Sequence, residues 1–227
     1  MNWSFGIIFG NMKDLSGDDK NYGVDPYENV KKVIESIRKQ NIENYEIILV
    51  GDHYHAEGIT GDDIIKVDFD ESIRKAWITK KKNIVAQTAK YENLSIHHDY
   101  ITLDDEWYEG FQNFGYEWDV CMTKIQDMNG QRYRDFVTWD PITFVDYYSS
   151  NPDTSNMYIS GGYFCVKRDY LLSNPLDETL VAGEGEDLEW SVRLRQNWNY
   201  RCNPNSKVVL CKPKQNHLPP PHTDPNK

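Results

Sequence analysis

Apolar residues in this chain come in short runs whose period changes along the sequence. Phe5 to Phe9 is an unbroken apolar stretch of the buried-strand type. A polar loop, Asn11 to Gly23, follows it. At Asp25 the period becomes helical. Asp25 is placed to cap a helix, Pro26 occupies its first position, and Glu28 stands at capping-box spacing. Val30, Val33, Ile34 and Ile37 recur at i, i+3, i+4 and i+7, so the helix has one buried stripe and runs to near Asn41. Tyr45 to Val50 is a second buried run, ending on Gly51-Asp52. Strand, helix and strand at this spacing predict a βαβ unit with a right-handed crossover. Ligands of open α/β sheets bind beyond the carboxyl ends of the strands, which singles out the loop after Phe9 and Asp52.

Further on, Ile64 to Phe69 predicts a third strand. A helix is expected over about residues 74–91, carrying the basic cluster Lys80-Lys81-Lys82. Leu94 to Ile96 predicts a strand that ends on His97-His98-Asp99, and Trp107 to Phe114 a helix. Asn129-Gly130 is a strong hairpin signal between arms Glu117–Ile125 and Arg132–Trp139. Tyr158 to Val166 reads as a strand interrupted by Gly161-Gly162, Glu186 to Asn197 as a helix, and Lys207 to Leu210 as a last strand. From Lys212 onward the chain is Pro-rich and predicts an extended tail. No repeat or linker divides the rest. The pattern therefore predicts a single α/β domain over residues 1–211, with a tail over 212–227.

Composition narrows the function. The 227 residues are 39% hydrophobic and 13% aromatic, enough to build a sizeable core. Seven Trp and fifteen Tyr are enough to stack on sugars as well, although most are expected in the core. The net charge of −11 opposes nucleic acid as a partner but leaves room for a nucleotide whose diphosphate is screened by a cation. Cys121, Cys165, Cys202 and Cys211 show no paired spacing, so reduced thiols and a cytoplasmic location are expected. Cys202 and Cys211 could pair only in an oxidising compartment. No secretory signal and no apolar run of membrane-spanning length is read in the sequence.

Three constellations carry candidate chemistry. His97-His98-Asp99 at a strand end offers carboxylate oxygen and imidazole nitrogen, which suit Mn²⁺ or Mg²⁺ on a diphosphate; ordinary hydrogen-bonded residues would give the same pattern. Glu186-Asp187, after Gly183 and Gly185, stands at a helix start. There it either favours the helix dipole or supplies a base for an acceptor hydroxyl. Gly161-Gly162 within an apolar run marks either a bulge or the close approach of backbone to a ligand.

In this order the segments resemble the GT-A glycosyltransferases of the family-2 type, nearly from end to end. The resemblance implies a Rossmann-like central mixed, mostly parallel sheet flanked by helices. It implies Asp52 as the contact to the base, with Lys82, Asn83 and His98 also on the nucleotide. The family's metal motif is two Asp separated by one residue. Here His97-His98-Asp99 departs at the first position, so Asp99 carries over as the direct ligand, while His97 either joins it, faces the nucleotide or packs. A late His closes the metal site in some GT-A enzymes, a role open to His217 or His222, with His217 preferred. Gly161, Gly162 and Trp190 are the implied acceptor or sugar contacts. Asp187 is the implied general base, with Glu186 on the hydroxyls of acceptor or donor. The function implied is metal-dependent transfer of a sugar from a UDP- or GDP-type donor to a hydroxyl, with inversion favoured over retention. A non-catalytic sugar- or nucleotide-binding module is the alternative. A sugar nucleotidyltransferase ranks lower, because Gly10-Asn11-Met12-Lys13 is a poor phosphate loop.

Overall fold

The computed structural model describes residues 1–10, 26–52, 57–149 and 152–212. Strands β1 (Trp3–Ile8), β2 (Tyr45–Gly51), β3 (Ile64–Asp68) and β4 (Asn93–His98) lie parallel in the order β3-β2-β1-β4. The sheet continues through β5 (Ile101–Leu103), β6 (Val120–Asp127), β10 (Tyr163–Lys167) and β11 (Tyr200–Leu210), giving eight strands in the order β3-β2-β1-β4-β10-β6-β11-β5. β10 is antiparallel to both β4 and β6 and so joins the two parallel regions. A small antiparallel sheet, order β8-β7-β9, is built from β7 (Val137–Thr138), β8 (Thr143–Phe144) and β9 (Met157–Tyr158). The helices are α1 (Pro26–Arg38), α2 (Ile78–Thr88), α3 (Trp107–Phe114), α4 (Arg168–Ser173) and α5 (Glu186–Leu194).

The alternation of β1 divides the core. Trp3 and Phe5 face α3, where the Trp3 ring lies 4.7 Å from Trp107 and 4.9 Å from Phe111. Gly6 faces the other way, against Val85 of α2. The predicted stripe of α1 is buried in full at Val30, Val33, Ile34 and Ile37. Each such side chain contributes roughly 1.5–3 kcal/mol of burial. Among the described residues no helix is long and apolar enough to cross a membrane.

Several boundaries differ from expectation, each for a local reason. α1 stops at Arg38 rather than near Asn41, because Gln40 N turns to Ile37 O and Asn41 is left-handed (φ 53°). Asp25 lies outside the described residues, as does the loop expected up to Gly23. α2 begins at Ile78 rather than about residue 74, behind a left-handed Ala76 (φ 52°). It stops at Thr88, with Ala89 already extended.

The hairpin expected at Asn129-Gly130 forms its turn, with Gly130 at φ 77°, but its return arm pairs with β6 only at the bridge between Gln126 and Arg132. β11 takes one edge of β6 along its length, β10 takes the other at Val120 and Cys121, and the arm turns left-handed at Arg134 and Phe136. The arm leaves to become β7. Tyr158 to Val166 is likewise two strands, β9 in the small sheet and β10 in the large one, with Gly161-Gly162 between them. β11 starts at Tyr200, not Lys207, and changes register between Asn203 and Lys207. β5 and α4 were not foreseen. All four cysteines are free.

Candidate active site

Three strand ends meet at the carboxyl edge of the sheet. Phe9 N donates to Val50 O and Asp99 N to Ile8 O, both at 3.2 Å. These bonds bring the ends of β2 and β4, and with them Asp52 and Asp99, to the two sides of the end of β1. Both aspartates are half-buried.

Three consecutive lysines on α2 point about 100° apart and have three separate partners. Lys80 Nζ pairs with Glu178 at 2.8 Å. Lys81 Nζ donates to Phe9 O (2.6 Å) and to Glu71, at the strand ends. Burial pulls its pKa down, while Glu71, then Asp99 and Asp52, act to hold its charge. Lys82 Nζ is fully buried, 3.6 Å from Glu186 Oε1, with no hydrogen-bond partner. A second cation feels the charge of Asp99. Lys212 Nζ lies 3.7 Å over the Tyr100 ring, and Asp99 opposes the lowering of its pKa by burial.

The second part of the site is the start of α5. Gly185 is left-handed (φ 77°), so the chain turns abruptly into Glu186 and Asp187. Asp187 Oδ2 accepts from Gly161 N (3.0 Å) and Oδ1 from Leu188 N (2.9 Å), which fixes the carboxylate. Glu186 is 6% exposed. Burial pushes its carboxyl above the usual range, and Lys82 pulls it back. Gly161 leaves room for both carboxylates: a Cβ would stand 2.8 Å from Glu186 Oε1 and 3.0 Å from Asp187 Oδ2 and would displace one of them. A Cβ on Gly162 would meet the Tyr100 hydroxyl at 3.3 Å. The charges of Asp99 and Glu186 both disfavour ionisation of Tyr100, already held far above its usual pKa by burial. Tyr100 thus feels the charge of both carboxylates.

Sequence reasoning and structure part company at particular residues. Lys82, expected on the nucleotide, lies under Glu186 instead; Lys81, not singled out before, is the lysine at the strand ends. Asn83 is spent on the loop after α4, donating to Leu176 O and Glu178 Oε1 and accepting from Leu176 N, each at 3.0 Å. Trp190, expected on a sugar, is wholly buried beside Phe164 and Trp198, and its indole donates to Asn174 O (2.7 Å). It follows Glu186 by one helical turn, on the face α5 turns to the core. His97, expected on the metal, is also wholly buried. Its Nδ1 lies 3.2 Å from Ile101 O, its ring is edge-on to Phe5 and Tyr163, and burial holds its pKa down to about 4. The end of β4 is the reason: alternation alone would put Asp99 on the face of His97, but the strand stops at His98 and Asp99 lies in the turn that follows. His98 is half-buried against Tyr100, with ring centroids 5.3 Å apart. His217 and His222 lie outside the described residues.

No group of three His, Cys, Asp or Glu is placed to hold a metal among the described residues. Of His97-His98-Asp99, Asp99 supplies the carboxylate at the strand ends. That is enough for a hard divalent ion that takes most of its shell from phosphate oxygens and water.

Solved structures share this architecture. The chain superposes on GalNAc-T7, crystallised with UDP, GalNAc and Mn²⁺, with a TM-score of 0.67 over 92% of its length at 15% identity. It superposes on residues 1–349 of S. aureus TarS with a TM-score of 0.58 over 93% at 14% identity, and on the UDP complex of that protein with 0.60 over 92% at 13%. The chain has the GT-A fold. It covers 43% of the GalNAc-T7 chain and 58% and 61% of the two TarS chains, so it matches about half the length of these glycosyltransferases. No family model matches the sequence, and no curated protein does. At the GT-A level the sequence reading of the fold, a large mostly parallel sheet flanked by helices, is borne out.

Proposed function

We propose that the chain is a metal-dependent glycosyltransferase that moves a sugar from a UDP- or GDP-type donor to an acceptor hydroxyl. The observation that carries this reading is the Asp187 carboxylate, fixed by the backbone amides of Gly161 and Leu188 beside Glu186 at the start of α5. Asp52 is the proposed contact to the base and His98 a wall of the nucleotide pocket. Lys81 and Lys212 offer the diphosphate its cationic partners. A divalent ion, Mn²⁺ or Mg²⁺, held by Asp99 would neutralise charge on the leaving diphosphate. Asp187 takes the proton of the acceptor hydroxyl. The acceptor oxygen then bonds to the anomeric carbon as the bond from that carbon to the nucleoside diphosphate breaks, with inversion. Glu186, steadied by Lys82, orients a sugar hydroxyl, and Gly161 and Gly162 let the sugar reach the backbone. His217 remains the proposed late ligand, and residues 212–227 a cover for the nucleotide. The four free thiols suit a reducing compartment.

One observation favours the alternative of a binding module without turnover: the first position of the metal motif, His97, belongs to the core. Thermal shift with UDP and GDP, in Mn²⁺ and in chelator, tests the donor site in both readings. Metal-dependent stabilisation by one nucleotide, abolished in Asp99→Ala, is expected; at a hundred times Kd the linkage amounts to about 2.7 kcal/mol. Equal shifts with and without metal would remove Asp99 from the reading.

A further inference from the structure

The segment that follows β6 carries a cation, Arg134, that the proposed mechanism does not use. Tyr133 N donates to Ile125 O at 2.8 Å. Two residues on, the buried Asp135 carboxylate accepts from Ile125 N (2.6 Å) and from Tyr147 Oη (2.7 Å), and it pairs with Arg132. The chain is therefore clamped to one residue of β6 on both sides of Arg134. Arg134 between the clamps is left-handed at φ 40°, a conformation disfavoured for any residue with a Cβ. Strain of this kind persists where its surroundings enforce it, and it gathers at ligand sites.

The side chain is as unusual as the backbone. Arg134 Nε is buried without a hydrogen-bond partner, although a guanidinium carries five donors. Among the described residues no carboxylate forms an ion pair with Arg134, in a chain with eleven net negative charges. Its guanidinium lies 5.8 Å from the Tyr133 ring centroid. Three residues further, Val137 of β7 pairs with Tyr158 of β9. From Tyr158 the chain runs through Ile159, whose N–H donates to Ser191 Oγ of α5 (3.1 Å), to Gly161 on Asp187. Burial holds the Tyr133 and Tyr158 hydroxyls above their ordinary pKa, with Arg134 favouring their ionisation and Asp187 opposing it.

We propose that Arg134 is the anion-recognising residue of the acceptor site, so that the acceptor bears a carboxylate or phosphate near the hydroxyl that Asp187 deprotonates. The word acceptor rests on the transferase reading; the anion site does not. A guanidinium binds either oxyanion through paired N–H donors, and removing water from such a pair strengthens it.

The test is titration of the ¹⁵N-labelled full chain at constant ionic strength, following the Arg134 Nε–H resonance, assigned by its loss in Arg134→Lys. The titrants are glucose, glucuronate, glucose 6-phosphate and UDP with Mn²⁺. Glucuronate or glucose 6-phosphate should shift the signal saturably and at least about tenfold more tightly than glucose, as one charge-assisted pair implies. The stronger of the two identifies the anion. No saturable shift with either, or equal response to glucose, overturns the proposal. A shift driven by UDP alone would assign Arg134 to the donor and overturn it as well. Donor cleavage assayed on the same sample separates the claims: cleavage without anion binding sinks only the Arg134 proposal, and anion binding without cleavage sinks only the transferase reading.

Discussion

At the scale of single residues, side-chain direction decides what each motif can do. His97 and Asp99 are two positions apart, yet one lies among Phe5 and Tyr163 and the other at the mouth of the sheet. The pKa of buried His97 gives a direct check. Its folded value of about 4 lies below the ordinary 6.5, so the unfolded chain binds the proton more readily. The contribution of His97 to stability is intact above pH 6.5 and is lost as pH falls toward 4, by about 3 kcal/mol over the whole range. Urea denaturation in chelator at pH 7 and pH 5 should show the loss, and His97→Phe should reduce it. An unchanged pH slope in that variant would mean that His97 is not buried neutral. The sequence shows His-His-Asp at a strand end but not that β4 stops at His98, which is what takes Asp99 off the face it would otherwise share with His97. The lysine cluster has the same difficulty. Periodicity shows that Lys80, Lys81 and Lys82 diverge, but only the positions of Glu178, Glu71 and Glu186 assign their roles.

At the scale of elements, the layer of α2 on β1 holds both halves of the site, since α2 carries Lys81 to the strand ends and Lys82 to Glu186. Its closeness depends on Gly6, where a Cβ would come within 2.3 Å of Val85 Cγ1. Gly6→Ala should lower stability by about 1–3 kcal/mol, as overpacking does. Adding Val85→Ala should recover part of that loss in the same denaturation experiment, because the two sites touch. A double variant no more stable than Gly6→Ala would contradict the contact. The elements with clean period, β1, α1, β2 and α3, were legible from the sequence. The hairpin was not, because its turn residues are correct and the arm leaves β6 only past the bridge to Gln126, where Arg134 and Phe136 are left-handed. Nor was the first half of β11, where Asn203, Pro204 and Asn205 read as a loop. In the fold, buried Asn203 and Ser206 bond to each other at 3.0 Å across the register change.

For the whole molecule, the order of the motifs along the chain was more informative than any one of them. Asp52 and Asp99 are distant in sequence and flank the end of β1, and Gly161 is bonded to Asp187 at the start of α5. Arg134 had no signal of its own, since its strain arises from a clamp between segments that the sequence does not pair. The account turns on Asp187 as the base and Asp99 as the metal carboxylate of a working transferase. The direct measurement is release of nucleoside diphosphate from a panel of UDP- and GDP-sugars, in Mn²⁺ and in chelator, for wild type, Asp99→Ala, Asp187→Asn and Gly161→Ala. Metal-dependent release from one donor should fall by about 10²–10⁴-fold in Asp187→Asn. It should be lost with chelator or in Asp99→Ala, and it should fall in Gly161→Ala, whose methyl displaces the carboxylates. No release from any donor, or equal release in wild type, Asp99→Ala and Asp187→Asn, would contradict the account.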